Sequence, residues 1–198
     1  MKAAFVVFDG MTALDFFGFY DPVTRLKSMA IDPAFEWRLC ARSPQVADDR
    51  GARIAADSIG EDLGSYDLIF VPGGFGTRAL QHDDAFVKWI GTAAAAKLKV
   101  SVCTGALLLG AAGFLRGRRA TTHPNAYGEL APYCAKVLDE RVVDEGDVIT
   151  ARGVSSSIDL GLHVVERLAG AEACARVAKQ MDYPYRWAPA AAAPSTGG

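Results

Sequence analysis

The stretch Val102-Cys103-Thr104-Gly105 places a cysteine where an apolar, β-rich run gives way to the small residues and leucines of 106–113. A side chain at such a strand-to-helix turn is pushed out above the sheet, which is the shape of a nucleophile elbow. The free amides that open the following helix, and the positive end of its dipole, favour thiolate, the reactive form of cysteine. A buried, inert cysteine that merely ends a strand is the competing reading, and position alone does not separate the two. Three further segments bear on the choice. Gly73 and Gly74 follow the run DLIFV at 67–71 and carry no side chain. Their backbone N–H groups, with that of Thr104, are therefore expected to face a bound substrate as an anion or oxyanion site. Asp15 begins a helix after the first strand's loop and can overhang the same edge, although helix-start acids usually serve the helix. His123, in Ala120-Thr121-Thr122-His123-Pro124, closes another short apolar segment, where a turn histidine bonded to backbone is the ordinary role.

The elements that must hold these residues alternate. Strands are expected at 3–8, 35–41, 67–71 and 99–103, each short and apolar enough to be buried on both faces. Helices are expected at 12–30, with Leu14, Phe17, Val23 and Leu26 at helical spacing, at 83–97, after Cys103 to about Gly113, at 155–170, and to about Met181. Three short strands are read within 135–151 around an Asp/Glu/Gly turn. This alternation predicts an α/β fold, a mostly parallel sheet sandwiched by helices, with the site at the carboxyl ends of the strands. Asp9-Gly10, Pro72-Gly73-Gly74 and Cys103-Thr104-Gly105 all fall at such ends. One domain over 1–187 is expected, with a low-complexity, disordered tail, APAAAAPSTGG, at 188–198.

Composition narrows the function classes. The chain has 198 residues, 51% of them hydrophobic and 22% charged, with a formal net charge of −2, so nothing electrostatic points to nucleic acid. The basic run Arg116-Gly117-Arg118-Arg119 reads as a solvated turn at a helix end. The start, MKAAFVVFDG, turns polar too early for a signal peptide, and the apolar run near 102–115 is too short to cross a bilayer. A cytoplasmic protein without membrane contact is therefore expected. The four cysteines, Cys40, Cys103, Cys134 and Cys174, form no CxxC pair and no zinc-type spacing with histidine. No metal and no organic cofactor is called for. Asp21, Asp159 and His163 are read as solvated helix-face or capping residues.

Over about residues 3–181 the chain resembles the ThiJ/PfpI superfamily. The residues that carry the resemblance are FVVFDGMTALDFFG, DLIFVPGG, SVCTGALLLGAAGFLRGRRATTH and ARGVSSSIDLGLHVVERLAG. Within the superfamily it looks most like the isonitrile hydratases, whose C-T-G elbow and A-L-D-x-x-G motif Cys103, Thr104 and Asp15 match. Transcriptional regulators with a similar amino-terminal domain share much of these blocks. The chain departs from the branch at Gly18-Phe19-Tyr20-Asp21-Pro22, at Pro124, and at Ser155-Ser156-Ser157-Ile158-Asp159, changes expected near the pocket rim or a dimer contact.

The resemblance implies a flavodoxin-like domain, similar to class I glutamine amidotransferases, that pairs into a homodimer. It also implies hydration of an isonitrile, R–N≡C, to an N-substituted formamide. Chemically, a Cys103 thiolate would attack the terminal carbon to give a thioimidate, with Asp15 supplying the proton and Thr104 orienting water or the intermediate. A carboxylate beside a thiolate raises both pKa values, so the pair is expected to share one proton. A small apolar isonitrile-like substrate asks for a greasy cleft, which Phe16, Phe17, Tyr20 and Phe75 could line, with His123 as a further pocket member. Three alternatives stay open on the residues: another cysteine enzyme of this fold (a deglycase, a glyoxalase-type hydratase or an amidase), a redox sensor or chaperone-like protein, and the ligand-binding part of a regulator.

Overall fold

The computed structural model describes residues 1–184, and the tail read at 188–198 lies outside the described residues. The elements run β1 (Lys2–Val6), α1 (Ala13–Ser28), β2 (Glu36–Ala41), β3 (Gln45–Ala47), β4 (Arg53–Ala55), β5 (Ser58–Ile59), β6 (Leu68–Val71), α2 (Thr77–Leu80), α3 (Asp84–Gly91), β7 (Leu98–Val102) and α4 (Gly105–Ala111). There follow β8 (Arg119–Ala120), α5 (Tyr127–Leu130), β9 (Lys136–Val137), β10 (Val142–Asp144), β11 (Val148–Ala151), α6 (Ser156–Ala169) and α7 (Ala171–Gln180). β6, β7 and β11 are buried at every position, which is why they show apolar runs rather than alternation.

Seven strands form the main sheet in the order β10-β11-β7-β6-β1-β2-β5. All neighbours pair parallel except the β10–β11 hairpin at one edge. After β1 the chain moves outward through β2 and β5, then returns to the other flank of β1 as β6. That reversal makes the junction of β1 and β6 a topological switch point, where the following loops part and leave a crevice. α1 packs against α6 and α6 against α7, while α4 packs against α2, α3 and α5. Among the described residues no helix is long and apolar enough to cross a membrane.

Several details differ from the sequence reading. The 83–97 helix is two pieces: α3 ends at Gly91 and a 3-10 turn continues to Ala95. Of the strands read at 135–151, β9 leaves the main sheet to pair with β8. The hairpin β3–β4 and the edge strand β5 are additions to that reading. On α1 the buried face is Phe16, Phe19, Val23 and Leu26, whereas Leu14 and Phe17 point outward, 51% and 49% exposed. Asp159 and His163 are not solvated. Asp159 is buried and accepts from Arg141 and from the Tyr183 hydroxyl, and His163 lies 2.6 Å from Asp144. Asp21 does sit on a helix face, paired with Arg25 one turn on.

The departures from the isonitrile branch fall mainly inside the domain, not at a rim. Gly18 lies against Ser157, and the Pro22 ring packs on Gly161, so the altered stretches of α1 and α6 meet each other. The Ser157 hydroxyl also donates to the Leu14 carbonyl at 3.1 Å. A Cβ on Gly18 would land on Ser157 Oγ. Gly18→Ala is therefore expected to destabilise the fold by about 1–3 kcal/mol, read as a lower denaturant midpoint at unchanged slope. Pairing it with Ser157→Gly should recover much of the loss.

Candidate active site

Three strand ends converge at the crevice. Cys103 follows β7 with φ +54°, a left-handed conformation that a non-glycine residue adopts only when its surroundings enforce it. The enforcement is visible. The Cys103 N–H donates to the carbonyls of Ala151 and Arg152 at 3.0 and 2.8 Å, and its own carbonyl accepts from the Thr122 hydroxyl at 2.7 Å. The Thr121-Thr122-His123 segment thereby serves the elbow. Thr122 braces it from below, and His123 is left on the cleft wall.

Asp15, in the first turn of α1, is fully buried. Its Oδ2 accepts the Gly73 N–H at 3.0 Å, and the carboxyl lies beside the Cys103 side chain, close enough for each group to shift the other's titration. Its Oδ1 is buried without a hydrogen-bond partner among the described residues. Burial pushes the Asp15 carboxyl up from 3.8 to about 7, against the lowering effect of Cys103 and Gly73. Burial likewise pushes the Cys103 thiol up to about 12, and the adjacent Asp15 charge adds to it. The expectation that the helix start would favour thiolate is thus corrected. The Thr104 backbone N–H favours the charged sulfur, but desolvation and the neighbouring carboxyl outweigh it.

Gly73 is demanded by crowding. A Cβ there would sit 2.6 Å from the Thr104 nitrogen and 2.7 Å from both Asp15 Oδ2 and Cys103 Cβ. The glycine amides are not free, however. The Gly73 N–H is spent on Asp15, and the Gly74 N–H donates to Thr104 Oγ1 at 3.0 Å. Buried N–H groups require partners, and here the protein supplies them, so the expected oxyanion role for these two amides does not match the free protein.

Above the pair opens a cleft of about 360 Å³, lined by Cys103, Thr104, Gly74, Phe75 and His123, and also by Thr12, Leu14, Asp49, Arg50, Arg78, Asn125 and Val154. That volume suits a small ligand. Of the aromatics expected to line it, only Phe75 does, at 75% exposed. Phe16 is core, stacked on Tyr20, and Tyr20 meets Phe5 and Trp37 edge-on. Phe17 points to solvent beside them. His123 Nδ1 accepts the Asn125 N–H at 3.2 Å, which leaves Nε2 as the protonated nitrogen of the neutral ring. Sequence reasoning does not find Thr12, Asp49, Arg50, Arg78 or Asn125. The only signal is the Asp-Asp-Arg-Gly turn at 48–51, which marks the β3–β4 hairpin that brings Asp49 and Arg50 in. Among the described residues no group of three or more His, Cys, Asp or Glu is placed to hold a metal.

The DJ-1/PfpI family profile matches residues 1–167. The chain belongs to the DJ-1/PfpI family. It is 34% identical to the isonitrile hydratase of Pseudomonas putida over 185 residues, covering 92% of this chain and 78% of that protein. It is also 35% identical over 145 residues to the Parkinson disease protein 7 homolog of Danio rerio, covering 70% of this chain and 76% of that one. A ThiJ/PfpI family protein from Pseudomonas syringae superposes with a TM-score of 0.83 at 29% identity, over 93% of this chain and 76% of that chain. As a DJ-1/PfpI member the chain thus stands near both a hydratase and the DJ-1 proteins.

Proposed function

We propose that the protein is an isonitrile hydratase that converts R–N≡C to an N-substituted formamide through Cys103 and Asp15, acting as a cytoplasmic homodimer. One observation carries the reading: a fully buried carboxyl lies beside the thiol at a positive-φ elbow, and one of its oxygens has no hydrogen-bond partner among the described residues. Similarity to the P. putida enzyme supplies the substrate class.

In the reactive state the pair holds one proton between them. Sulfur forms a bond to the terminal isonitrile carbon while that carbon takes the Asp15 proton, giving RN=CH–S–Cys103 and an Asp15 carboxylate. Water then adds to the same carbon, and Asp15 relays one of its protons to nitrogen. The tetrahedral adduct RNH–CH(OH)–S–Cys103 collapses as the C–S bond breaks. Asp15 takes the hydroxyl proton, RNH–CHO departs, and the pair is restored. The Thr104 backbone N–H, which favours the charged sulfur, stabilises it as the leaving group, while the Thr104 hydroxyl donates to the Gly74 carbonyl at 3.1 Å.

This scheme fixes a pH dependence. Below about pH 7 both groups carry protons and no thiolate is available. Between about 7 and about 12 the pair holds a single proton. kcat/KM is therefore expected to rise tenfold per pH unit below about 7 and then level off. The test is loss of the isonitrile absorption band, with formamide identified by mass, across alkyl and aryl isonitriles. Absence of turnover on every member, or activity that falls as pH rises through 7, would remove the proposal. Peroxide titration of the thiol and a methylglyoxal assay would then address the redox and glyoxalase alternatives.

A further inference from the structure

We propose that Arg78 makes the cleft selective for ligands that carry a carboxylate at the end remote from the electrophilic carbon. For the reaction itself this rests on the isonitrile reading, whereas the charge preference does not. Arg78, on α2, lines the same cleft as Cys103, Thr104 and Phe75. Its guanidinium carbon lies 5.6 Å from the centre of the Phe75 ring, so ring and cation form one surface. One of its nitrogens donates to Glu129 Oε1 at 3.2 Å, with the two side chains 37% and 36% exposed. A single-contact pair in water is worth at most about 1 kcal/mol. It also leaves most of the five guanidinium donors without a hydrogen bond among the described residues.

The charge arrangement around the cleft singles out this arginine. Arg50 also lines it and is likewise held by a single contact, its Nη1 donating to Asp49 at 2.7 Å, but Asp49 lines the cleft beside it and would repel a carboxylate there. Asp49 is in turn fixed by the Thr12 hydroxyl at 2.9 Å. Glu129, by contrast, is not part of the lining. The cleft therefore contains one internally neutralised pair and one arginine whose partner stands outside it. A planar fork with spare donors matches a carboxylate in two parallel hydrogen bonds. The exposed Phe75 face beside it offers room for an apolar or aryl spacer. The implied substrate has its isonitrile carbon at Cys103, its spacer on Phe75 and its carboxylate on Arg78, rather than being apolar throughout.

Alkylation of Cys103 tests this without reference to turnover. 4-(Iodoacetamido)benzoate and iodoacetanilide both form a bond from sulfur to the methylene carbon with loss of iodide, and they differ in one carboxylate at the far end of an aryl spacer. Rates at Cys103 would be read by peptide mass spectrometry, which separates it from the other thiols. In Arg78→Gln the ratio of the benzoate rate to the anilide rate is expected to fall about five- to tenfold, with the iodoacetanilide rate unchanged. Arg78→Lys should retain part of the preference. Arg116→Gln, beyond the far end of α4, should leave the ratio alone. An unchanged ratio in Arg78→Gln, an equal fall in Arg116→Gln, or no alkylation of Cys103 by either reagent would overturn the proposal. In parallel, an aryl isonitrile carrying a carboxylate should lose kcat/KM in Arg78→Gln while its neutral parent does not. If the alkylation ratio shifts and neither isonitrile is hydrated, the isonitrile reading fails and the carboxylate preference stands.

Discussion

Cys103→Ser is expected to lower isonitrile turnover by about 10³-fold or more while shifting stability by no more than about 1 kcal/mol. The serine side chain is close in size to the cysteine and fits the same space. It holds its proton far more tightly than a thiol, however, and is the weaker nucleophile toward the isonitrile carbon. The elbow itself is held by backbone bonds to Ala151 and Arg152 and by the Thr122 hydroxyl, none of which uses the sulfur. Loss of activity with an unchanged denaturation midpoint is thus the signature of a nucleophile. Retained turnover would remove Cys103 from the chemistry, and a large fall in stability would make it a packing residue.

Asp15→Asn is expected to move activity and stability in opposite directions. The carboxyl is held at about 7 in the folded chain, against 3.8 for an aspartate free in water. The folded state therefore binds this proton more tightly than the unfolded chain does. Its stabilising effect is complete below about pH 4 and is lost as the pH rises to about 7. Above that, ionising a buried carboxyl costs the fold on the order of 2–4 kcal/mol. Asparagine can still accept the Gly73 N–H but cannot ionise. The variant should match wild type near pH 4 and exceed it at pH 8 by that amount, as read from denaturant midpoints at the two pH values. Turnover should fall about 10²- to 10⁴-fold, since the proton donor is gone. A variant less stable than wild type at pH 8 would show Asp15 to be an ordinary helix-start residue.

What is legible in the sequence, and what is not, follows from the range of the forces involved. The sheet can be read because β1, β6, β7 and β11 are buried on both faces, and their apolar runs stand out without any partner being known. The turn that bears Cys103 is local and is likewise readable. The direction of the thiol's pKa is not, because it depends on burial under distant elements and on Asp15, which lies 88 positions earlier in the chain. The phase of α1 is ambiguous because the helix carries apolar residues on more than one side. Only packing against β1 and α6 decides that Phe16 and Phe19 turn inward while Leu14 and Phe17 do not. The amides of Gly73 and Gly74 look available because their acceptors, Asp15 and Thr104, arrive from other parts of the chain. The β3–β4 hairpin has strands of three residues each, too short for alternation to register. Arg78 and Asn125 look like any surface polar residues until the cleft is seen.

The switch point between β1 and β6 gives the site two tiers with different tolerances. Cys103, Asp15 and Gly73 rest directly on the sheet and its first helix, packed so closely that an added methyl on Gly73 has no room. Asp49, Arg50, Phe75 and Arg78 stand on excursions that leave the sheet and come back. On the proposed chemistry, change in the lower tier would alter whether a bond can be made at all. Change in the upper tier would alter only which molecule arrives to have it made. A graft of residues 45–55 or 75–80 from another family member is then expected to retune what the cleft accepts while leaving Cys103 and Asp15 in place.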